Sequence, residues 1–288
     1  VWTNDGEIPA NDIDDDENGY VDDVAGIDCR NDDVDPFDDY FHGTHVAGIT
    51  MEGNPYARLL VARIGFGNTL IPDPCPTLEQ TRKDAKSLVE TVEFLQRNKA
   101  RVVNMSWGGS VNGIENDLEL CGIGKTQEER KKLAREYFDI GRQALEKAFA
   151  SAPEILFITA AGNSNENASF AEDSPADIVL PNLLTVGAVD KAGDEASFTS
   201  YGPTVKVHAN GYQVESYLPG GDRVAFSGTS MAAPQVANLA GKILAVNPAL
   251  TPPQVIEIIV ATADKTADGR RTLVNPKKAL EAARRKKA

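Results

Sequence analysis

The stretch "EILFITAA" (residues 154–161) is a continuous apolar run, with a proline before it and a glycine after it. A run of this length without polar alternation is typical of a β-strand with both faces covered, as in a parallel sheet. Three further runs have the same character: "RLLVARI" (58–64), "RVVNMS" (101–106) and "LLTVGAV" (183–189). These four stretches therefore predict the strands of a mostly parallel sheet.

Longer segments with helical periodicity alternate with these runs. The predicted helices cover residues 77–98, about 126–150, 229–246, 252–263 and 276–285. This alternation predicts the α/β fold class. No internal repeat and no linker rich in Pro, Gly or Ser interrupts the pattern, so we expect residues 1–288 to form one domain.

Composition excludes several classes of protein. The chain has 288 residues, 41% of them hydrophobic, which is enough for a sizeable core. Its formal net charge of −14 argues against a nucleic-acid partner. No apolar run reaches about 18 residues, so no membrane span is expected, and no signal-peptide pattern is present. Residues 1–40 hold 15 of the 43 acidic residues and one of the 29 basic residues, so the acidity is local.

The three cysteines have no metal-type spacing and allow at most one internal disulfide. Cys75 and Cys121 are the favoured pair because both lie in loop-like sequence. The alternative is that these two cysteines and Cys29 are all reduced thiols.

The acidic segment "DDDENGYVDD" (14–23) places oxygen-bearing side chains at alternate positions before Gly19. That spacing matches the first half of a calcium-binding EF-hand loop. The twelfth position is Ala25 instead of glutamate, so the segment is not a complete EF-hand. We predict a structural calcium site, and a solvated acidic loop is the alternative. The predicted ligands are Asp14, Asp16, Asn18, Tyr20, Asp22 and Asp23.

Three short segments carry candidate catalytic residues: "HGTHVAG" (42–48), "ITAAGNSN" (158–165) and "FSGTSMAAPQVAN" (226–238). Two histidines three residues apart could bind a metal, or one could be a base that the other supports. HxxH alone is not a zinc signature, and the third histidine, His208, stands apart in strand-like sequence, so the second interpretation is favoured. On its own, Ser230 at a helix start would be read as an N-cap, and Asn163 as a turn residue.

Taken together and in this order, the motifs "HGTHVAG", "AAGN" and "GTSMAAP" resemble the subtilisin family of serine proteases. "VVNMSWGGS" (102–110) resembles the family's substrate-cleft strand, and "GEIPANDIDDDENGYVDDVAGID" resembles an acidic insert found in some secreted bacterial members. The resemblance implies a three-layer αβα fold and a serine endopeptidase that acts through an acyl-enzyme. It implies that His42 is the general base, Ser230 the nucleophile and Asn163 a donor to the oxyanion.

The resemblance also implies a substrate cleft. "SWGG" (106–109) and "TAAG" (159–162) would form opposing edges of the pocket for the residue before the scissile bond, and extended substrate would pair with their backbone. Residues 110–135 look like an inserted rim loop. The implied partners are protein or peptide substrates and a propeptide of the chain's own, and the implied location is secreted or in the cell envelope. The expected cleft residues are Ser106, Trp107, Gly108, Gly109, Ala160, Ala161 and Gly162. For Trp107, a buried packing role is the alternative to lining a subsite.

One member of the family's triad does not match. The family's aspartate ends the first core strand in an apolar Asp-x-Gly segment well before His42, and we expect that segment upstream of Val1. The first core strand is then missing from the chain and a central position of the sheet is empty. Asp28 is the alternative aspartate, although no glycine follows it in the Asp-x-Gly spacing. The second function class is therefore an inactive subtilisin-like protein that binds peptides or a partner.

Overall fold

A computed structural model describes residues 2–29, 33–38, 40–64, 75–168, 172–266 and 271–286. Its main feature is a six-stranded sheet in which four neighbouring strands and a short fifth are parallel. A short sixth strand is antiparallel and closes one edge. In spatial order the strands are β11 (Asp264–Lys265), β12 (Thr272–Leu273), β8 (Val205–Asn210), β7 (Leu183–Val189), β5 (Leu156–Ala160) and β3 (Val102–Met105).

Seven helices in the described residues surround this sheet. They are α1 (His42–Met51), α2 (Leu78–Arg97), α3 (Val111–Leu120), α4 (Gln127–Ser151), α5 (Thr229–Val246), α6 (Pro252–Thr262) and α7 (Pro276–Arg285). Four of them begin at a polar side chain that accepts a backbone N–H, as N-caps do: Thr77, Ser110, Thr126 and Asn275.

Alternate residues of β5 face two separate hydrophobic clusters. Leu156 and Ile158 pack with α5, α6 and α7, whereas Phe157 packs with α2 and α4. Because successive side chains of a strand point to opposite faces, the helices cover both sides of the sheet. The αβα architecture implied by the sequence resemblance is therefore confirmed.

The sheet is divided at the position where the resemblance implies a further strand. β1 (Gly26–Asp28) and β2 (Val61–Arg63) form their own parallel pair, with Ile27 opposite Ala62. β3 is the edge strand of the six-stranded sheet. Within the described ranges, no strand joins β2 to β3. In the part of the chain that the structure describes, this pair and the six-stranded sheet are therefore separate.

Two small antiparallel pairs complete the architecture. β4 (Gly109–Ser110) pairs with β6 (Asp173–Ser174), and β9 (Val214–Tyr217) forms a hairpin with β10 (Arg223–Phe226). β1 and this hairpin were not among the predicted strands, whereas β8 (Val205–Asn210) contains His208, whose sequence was described as strand-like. The segment interpreted as a rim loop, 110–135, contains α3 and the first turns of α4 and is largely helical.

The predicted pairing of Cys75 with Cys121 is present, with 5.9 Å between the Cα atoms. The bridge joins the sequence just before α2 to the C-terminal end of α3. Across the described ranges, no helix combines the length and apolar character needed to span a bilayer.

Candidate functional site

Helices α1 and α5 pack side by side and bring two motifs to one end of the sheet. The Asn238 side-chain amide donates to the carbonyl oxygens of Thr50 and Glu52, each at 2.8 Å. Asn238 and Thr50 lie at similar distances from the starts of their helices, and Lys242, one turn later in α5, donates to the Glu52 carbonyl oxygen beyond the end of α1 at 3.1 Å, so the two helices run in the same direction. The N-terminus of α1, with His42, and that of α5, with Ser230, therefore lie at the same end.

The loop after β3 holds Ser230 through two reciprocal hydrogen bonds. The Ser230 Oγ donates to the Ser106 carbonyl oxygen at 3.1 Å, and the Ser106 Oγ donates to the Ser230 carbonyl oxygen at 2.8 Å. Pro234 lies inside α5 and has no N–H to donate to the Ser230 carbonyl. The Ser106 hydroxyl takes the place of that missing helical donor.

Asn163 follows β5, and its orientation is set by Thr229. The Asn163 Oδ1 accepts from the Thr229 backbone N–H at 2.8 Å and from the Thr229 hydroxyl at 3.0 Å. Because a backbone N–H can only donate, Oδ1 must face Thr229 and Nδ2 must face away from it. Nδ2 makes no hydrogen bond to a described residue, so its donors are available to a ligand.

The backbone N–H of Ser230 is a second available donor beside Asn163. It belongs to the first turn of α5, where helical N–H groups have no partner within the helix. The N-terminal end of a helix also carries a partial positive charge that favours a bound anion.

His42 is half-buried, and burial lowers the pKa of its imidazole, with a smaller lowering from His45 and an opposing effect of Asp38. The Asp38 carboxylate is engaged elsewhere, since its Oδ2 accepts from the Thr44 backbone N–H at 2.6 Å and from the Thr44 hydroxyl at 2.5 Å. Among the described residues, none forms a hydrogen bond with the His42 ring. His42 and Ser230 therefore lie at the same end of their helices without a direct hydrogen bond.

The second histidine of the motif, His45, packs in the interior and contributes to structure. His45 is fully buried, its Nε2 lies 3.1 Å from the Val224 carbonyl oxygen, and its ring packs on Phe226 with 4.6 Å between centroids. These contacts join α1 to the hairpin of β9 and β10.

Asp28, the alternative aspartate, is buried on β1 and pairs with Arg63 at 3.3 Å.

A cavity of about 330 Å³ opens beside Ser230 and Asn163. Six of the seven expected cleft residues line it: Ser106, Trp107, Gly108, Gly109, Ala160 and Gly162. The seventh, Ala161, is fully buried and is not part of the lining. Sequence reasoning did not identify Ser110, Gly113, Ser164, Asp173 and Thr229, which complete the lining.

The acidic segment brings three carboxylates together. Ligand oxygens of Glu7, Asp14 and Asp16 lie within 4.8 Å of one another, which is the kind of oxygen-rich cluster that suits calcium. Glu7 was not predicted, because it precedes the EF-hand-like spacing. It is also a buried acceptor for the backbone N–H groups of Asp15 and Asp22, both at 3.0 Å.

The other predicted ligands have different neighbours. The Asn18 Nδ2 donates to the buried carboxylate of Asp23 at 3.2 Å. Burial raises the pKa of Asp23, and the nearby carboxylates Asp16 and Glu7 add to that rise, against the lowering by its hydrogen bonds from Asn4 and Asn18.

Asp22 accepts from the backbone N–H groups of Asn11 and Asp12 at 3.2 and 3.0 Å, and so holds the preceding turn. The Tyr20 ring packs edge-on against Phe94, with 5.1 Å between centroids.

Comparisons with known proteins agree with this geometry. Residues 6–277 match the profile of the Subtilase family. Subtilisin-like protease 1 of Plasmodium berghei (strain Anka) is 25% identical over 86% of this chain and 39% of that protein. Subtilisin E of Bacillus subtilis (strain 168) is 31% identical over 77% of this chain and 50% of that protein. The chain thus spans less than two thirds of the length of these curated relatives.

Among solved structures, a cold adapted subtilisin-like serine proteinase superposes with a TM-score of 0.63 at 28% sequence identity. The superposition covers 87% of this chain and 80% of that chain. The family profile spans nearly all of the sequence, and the fold, the order of the motifs and the helix-end geometry all agree with it. The chain belongs to the subtilase family.

Proposed function

We propose that this protein is a serine endopeptidase in which Ser230 is the nucleophile, His42 the general base and Asn163 a donor to the oxyanion. One observation carries the proposal: the Asn163 Nδ2 and the Ser230 N–H, both without partners among the described residues, border the cavity that holds the Ser230 hydroxyl. Two such donors beside a serine at a helix N-terminus are what stabilisation of a tetrahedral oxyanion requires.

The reaction follows from these positions. The Ser230 Oγ attacks the carbonyl carbon of the scissile peptide bond while His42 takes its proton. The negative charge that develops on the carbonyl oxygen is stabilised by Asn163 and by the Ser230 N–H. His42 then gives the proton to the leaving amine, and water hydrolyses the acyl-enzyme by the same steps in reverse.

The serine hydroxyl must turn before it reacts. It donates to the Ser106 carbonyl in the described conformation, and the proposed mechanism requires it to rotate about its side-chain torsion toward His42. Catalytic hydrogen bonds commonly tighten only when substrate is bound, so the resting geometry is compatible with the proposed role.

The orienting aspartate is proposed to come from outside the described residues. Asp38 is bound to Thr44, and Asp28 is ion-paired with Arg63. The division of the sheet between β2 and β3 supports a further strand that supplies this aspartate, as the family resemblance implies. Its carboxylate would hold the His42 ring in the productive tautomer, an effect of about 10⁴ in rate.

Calcium is proposed as a structural ion held by Glu7, Asp14 and Asp16. Their clustered oxygens supply the hard ligands that calcium prefers. A bound ion would offset the mutual repulsion of these carboxylates and stabilise the folded state by mass action.

We also propose a location outside the cell. The Cys75–Cys121 disulfide is typical of oxidising compartments, where calcium is also plentiful. The proposed substrates are proteins or peptides in that compartment.

The test compares peptide hydrolysis by the full-length protein with that by Ser230→Ala. Loss of hydrolysis in this variant, with an unchanged melting temperature, is expected. Ser197→Ala is the matched control, because Ser197 is exposed and lies outside the cavity lining. A folded protein that binds peptides but cleaves none would instead support the inactive subtilisin-like class.

A further inference from the structure

The cavity beside Ser230 contains one ionisable side chain among its described lining residues, that of Asp173. The other lining residues are glycines, small polar residues, an alanine and Trp107. The sign and strength of charge in this cavity are therefore set largely by Asp173.

The strand pairing holds Asp173 between the two walls of the cavity. On β6, it lies opposite Ser110 of β4. A Cβ atom built on Gly162 would lie 2.2 Å from the Asp173 Oδ2, and one built on Gly108 would lie 3.1 Å from the Oδ1. The carboxylate thus lies against both glycine-containing segments, and only glycine at position 162 leaves room for it.

Neighbouring acids are neutralised by arginines of α4, whereas Asp173 is not. The Asp177 Oδ2 accepts from the Arg142 Nε at 2.6 Å, and Glu172 is ion-paired with Arg135. The Asp173 side chain has neither an ion pair nor a hydrogen bond with any other residue in the described ranges. Burial, with smaller contributions from Asp177 and Glu166, raises its pKa to about 6.

A half-buried carboxylate without a partner is unfavourable unless a ligand neutralises it. A neutral substrate side chain would bury this carboxylate further and leave it unpaired. A lysine or arginine side chain could place its alkyl stem along the glycine walls and its charge at the carboxylate.

We propose that Asp173 makes this cavity select substrates with lysine or arginine immediately before the scissile bond. The inference rests on the proposed endopeptidase function, which supplies the assignment of the cavity to that substrate residue. It goes beyond that function by naming the residue that determines specificity and the class of side chain that it selects.

A metal ion is the competing occupant. Within the described residues, the acidic cluster with metal-ligand spacing is that of Glu7, Asp14 and Asp16, and Asp173 is not part of it. A single carboxylate also falls far short of the six to eight oxygen ligands that calcium takes.

The test measures binding, so that it does not depend on turnover. In full-length protein carrying Ser230→Ala, calorimetry at pH 8 compares an acetylated tetrapeptide that ends in lysine with the same peptide ending in norleucine. Norleucine keeps the alkyl chain but lacks the ammonium group. The lysine peptide is expected to bind about 10- to 100-fold more tightly, the range of a hydrogen bond to a charged group.

Three variants test whether Asp173 causes the preference for the lysine peptide. Asp173→Asn should abolish it, and Asp173→Glu should keep part of it because the charge remains. Asp222→Asn removes an exposed carboxylate that lies outside the cavity and does not contribute to the pKa of Asp173, and it should leave the preference unchanged. Melting temperatures verify that each variant is folded.

Equal binding of the two peptides, or a preference that survives Asp173→Asn, would overturn the inference. A preference that disappears on addition of calcium would also overturn it, in favour of a metal at Asp173. Hydrolysis of the same sequences by the protein with Ser230 intact separates the two claims. Cleavage without a lysine preference refutes the selectivity alone, and a binding preference without cleavage refutes the endopeptidase function alone.

Discussion

Replacing Asn163 by aspartate separates its proposed catalytic role from its structural one. The Asn163 Oδ1 accepts two hydrogen bonds from Thr229, and the Nδ2 faces the cavity. Aspartate keeps an acceptor oxygen for both bonds but replaces the donor group by a second oxygen. Asn163→Ala removes the acceptor and the donor together and is the comparison variant.

The expected magnitudes of the two effects differ. Loss of one oxyanion donor costs about 100- to 1,000-fold in kcat, or about 2.7–4 kcal/mol. Loss of the two bonds to Thr229 in Asn163→Ala costs at most about 1–3 kcal/mol of the free energy of unfolding, since each net hydrogen bond contributes about 0.5–1.5 kcal/mol. Asn163→Asp should change that free energy by less than about 0.5 kcal/mol while losing the full catalytic factor.

The assay pairs kcat for a fluorogenic peptide with urea unfolding of the same preparations. The expected result is that both variants lose about the same factor in kcat, while Asn163→Ala alone loses stability. A kcat for Asn163→Asp within tenfold of the parent protein, at unchanged stability, would refute the assignment of the Nδ2 to the oxyanion. A kcat that falls only in step with stability would refute it as well.

Further predictions concern charge, cross-linking and calcium. The ratio of kcat/KM for lysine and norleucine substrates should fall as the pH drops through about 6, because protonation of Asp173 removes its charge, and burial, with smaller contributions from Asp177 and Glu166, holds its pKa at that level; a ratio that is constant from pH 8 to pH 5 contradicts this. Double substitution of Cys75 and Cys121 by serine should lower the free energy of unfolding by about 4 kcal/mol, from the loop-closure entropy of a 46-residue separation, and urea titration measures it. Removal of calcium with a chelator should lower the melting temperature, and an unchanged melting temperature argues against the structural ion.

Strands and helices with long uniform patterns could be predicted from the sequence. The apolar run at 154–161 contains β5, and the helical pattern at 229–246 coincides with α5. β1 was missed because its three residues lie between acidic loops, where no apolar run forms. β8 contains His208, whose sequence reads as strand-like, but its mixed polar and apolar residues do not form a continuous apolar run.

Only the part of the candidate site that is local in sequence could be predicted. The motifs around His42, Asn163 and Ser230 are local in sequence, so their residue types could be recognised directly. Asp173 could not, because its place in the cavity depends on the pairing of β6 with β4, which no sequence periodicity reveals. Glu7 was missed in the same way, since it reaches Asp14 and Asp16 through the folding of the acidic segment.

Labelling of the full-length folded protein with a fluorophosphonate probe, followed by mass-spectrometric mapping of the adduct, tests the central claim most directly. The activated serine at the start of α5 should take up one equivalent of probe, located on Ser230, and Ser230→Ala should take up none. A folded protein that remains unlabelled at Ser230 would contradict the assignment of a nucleophile to this helix end.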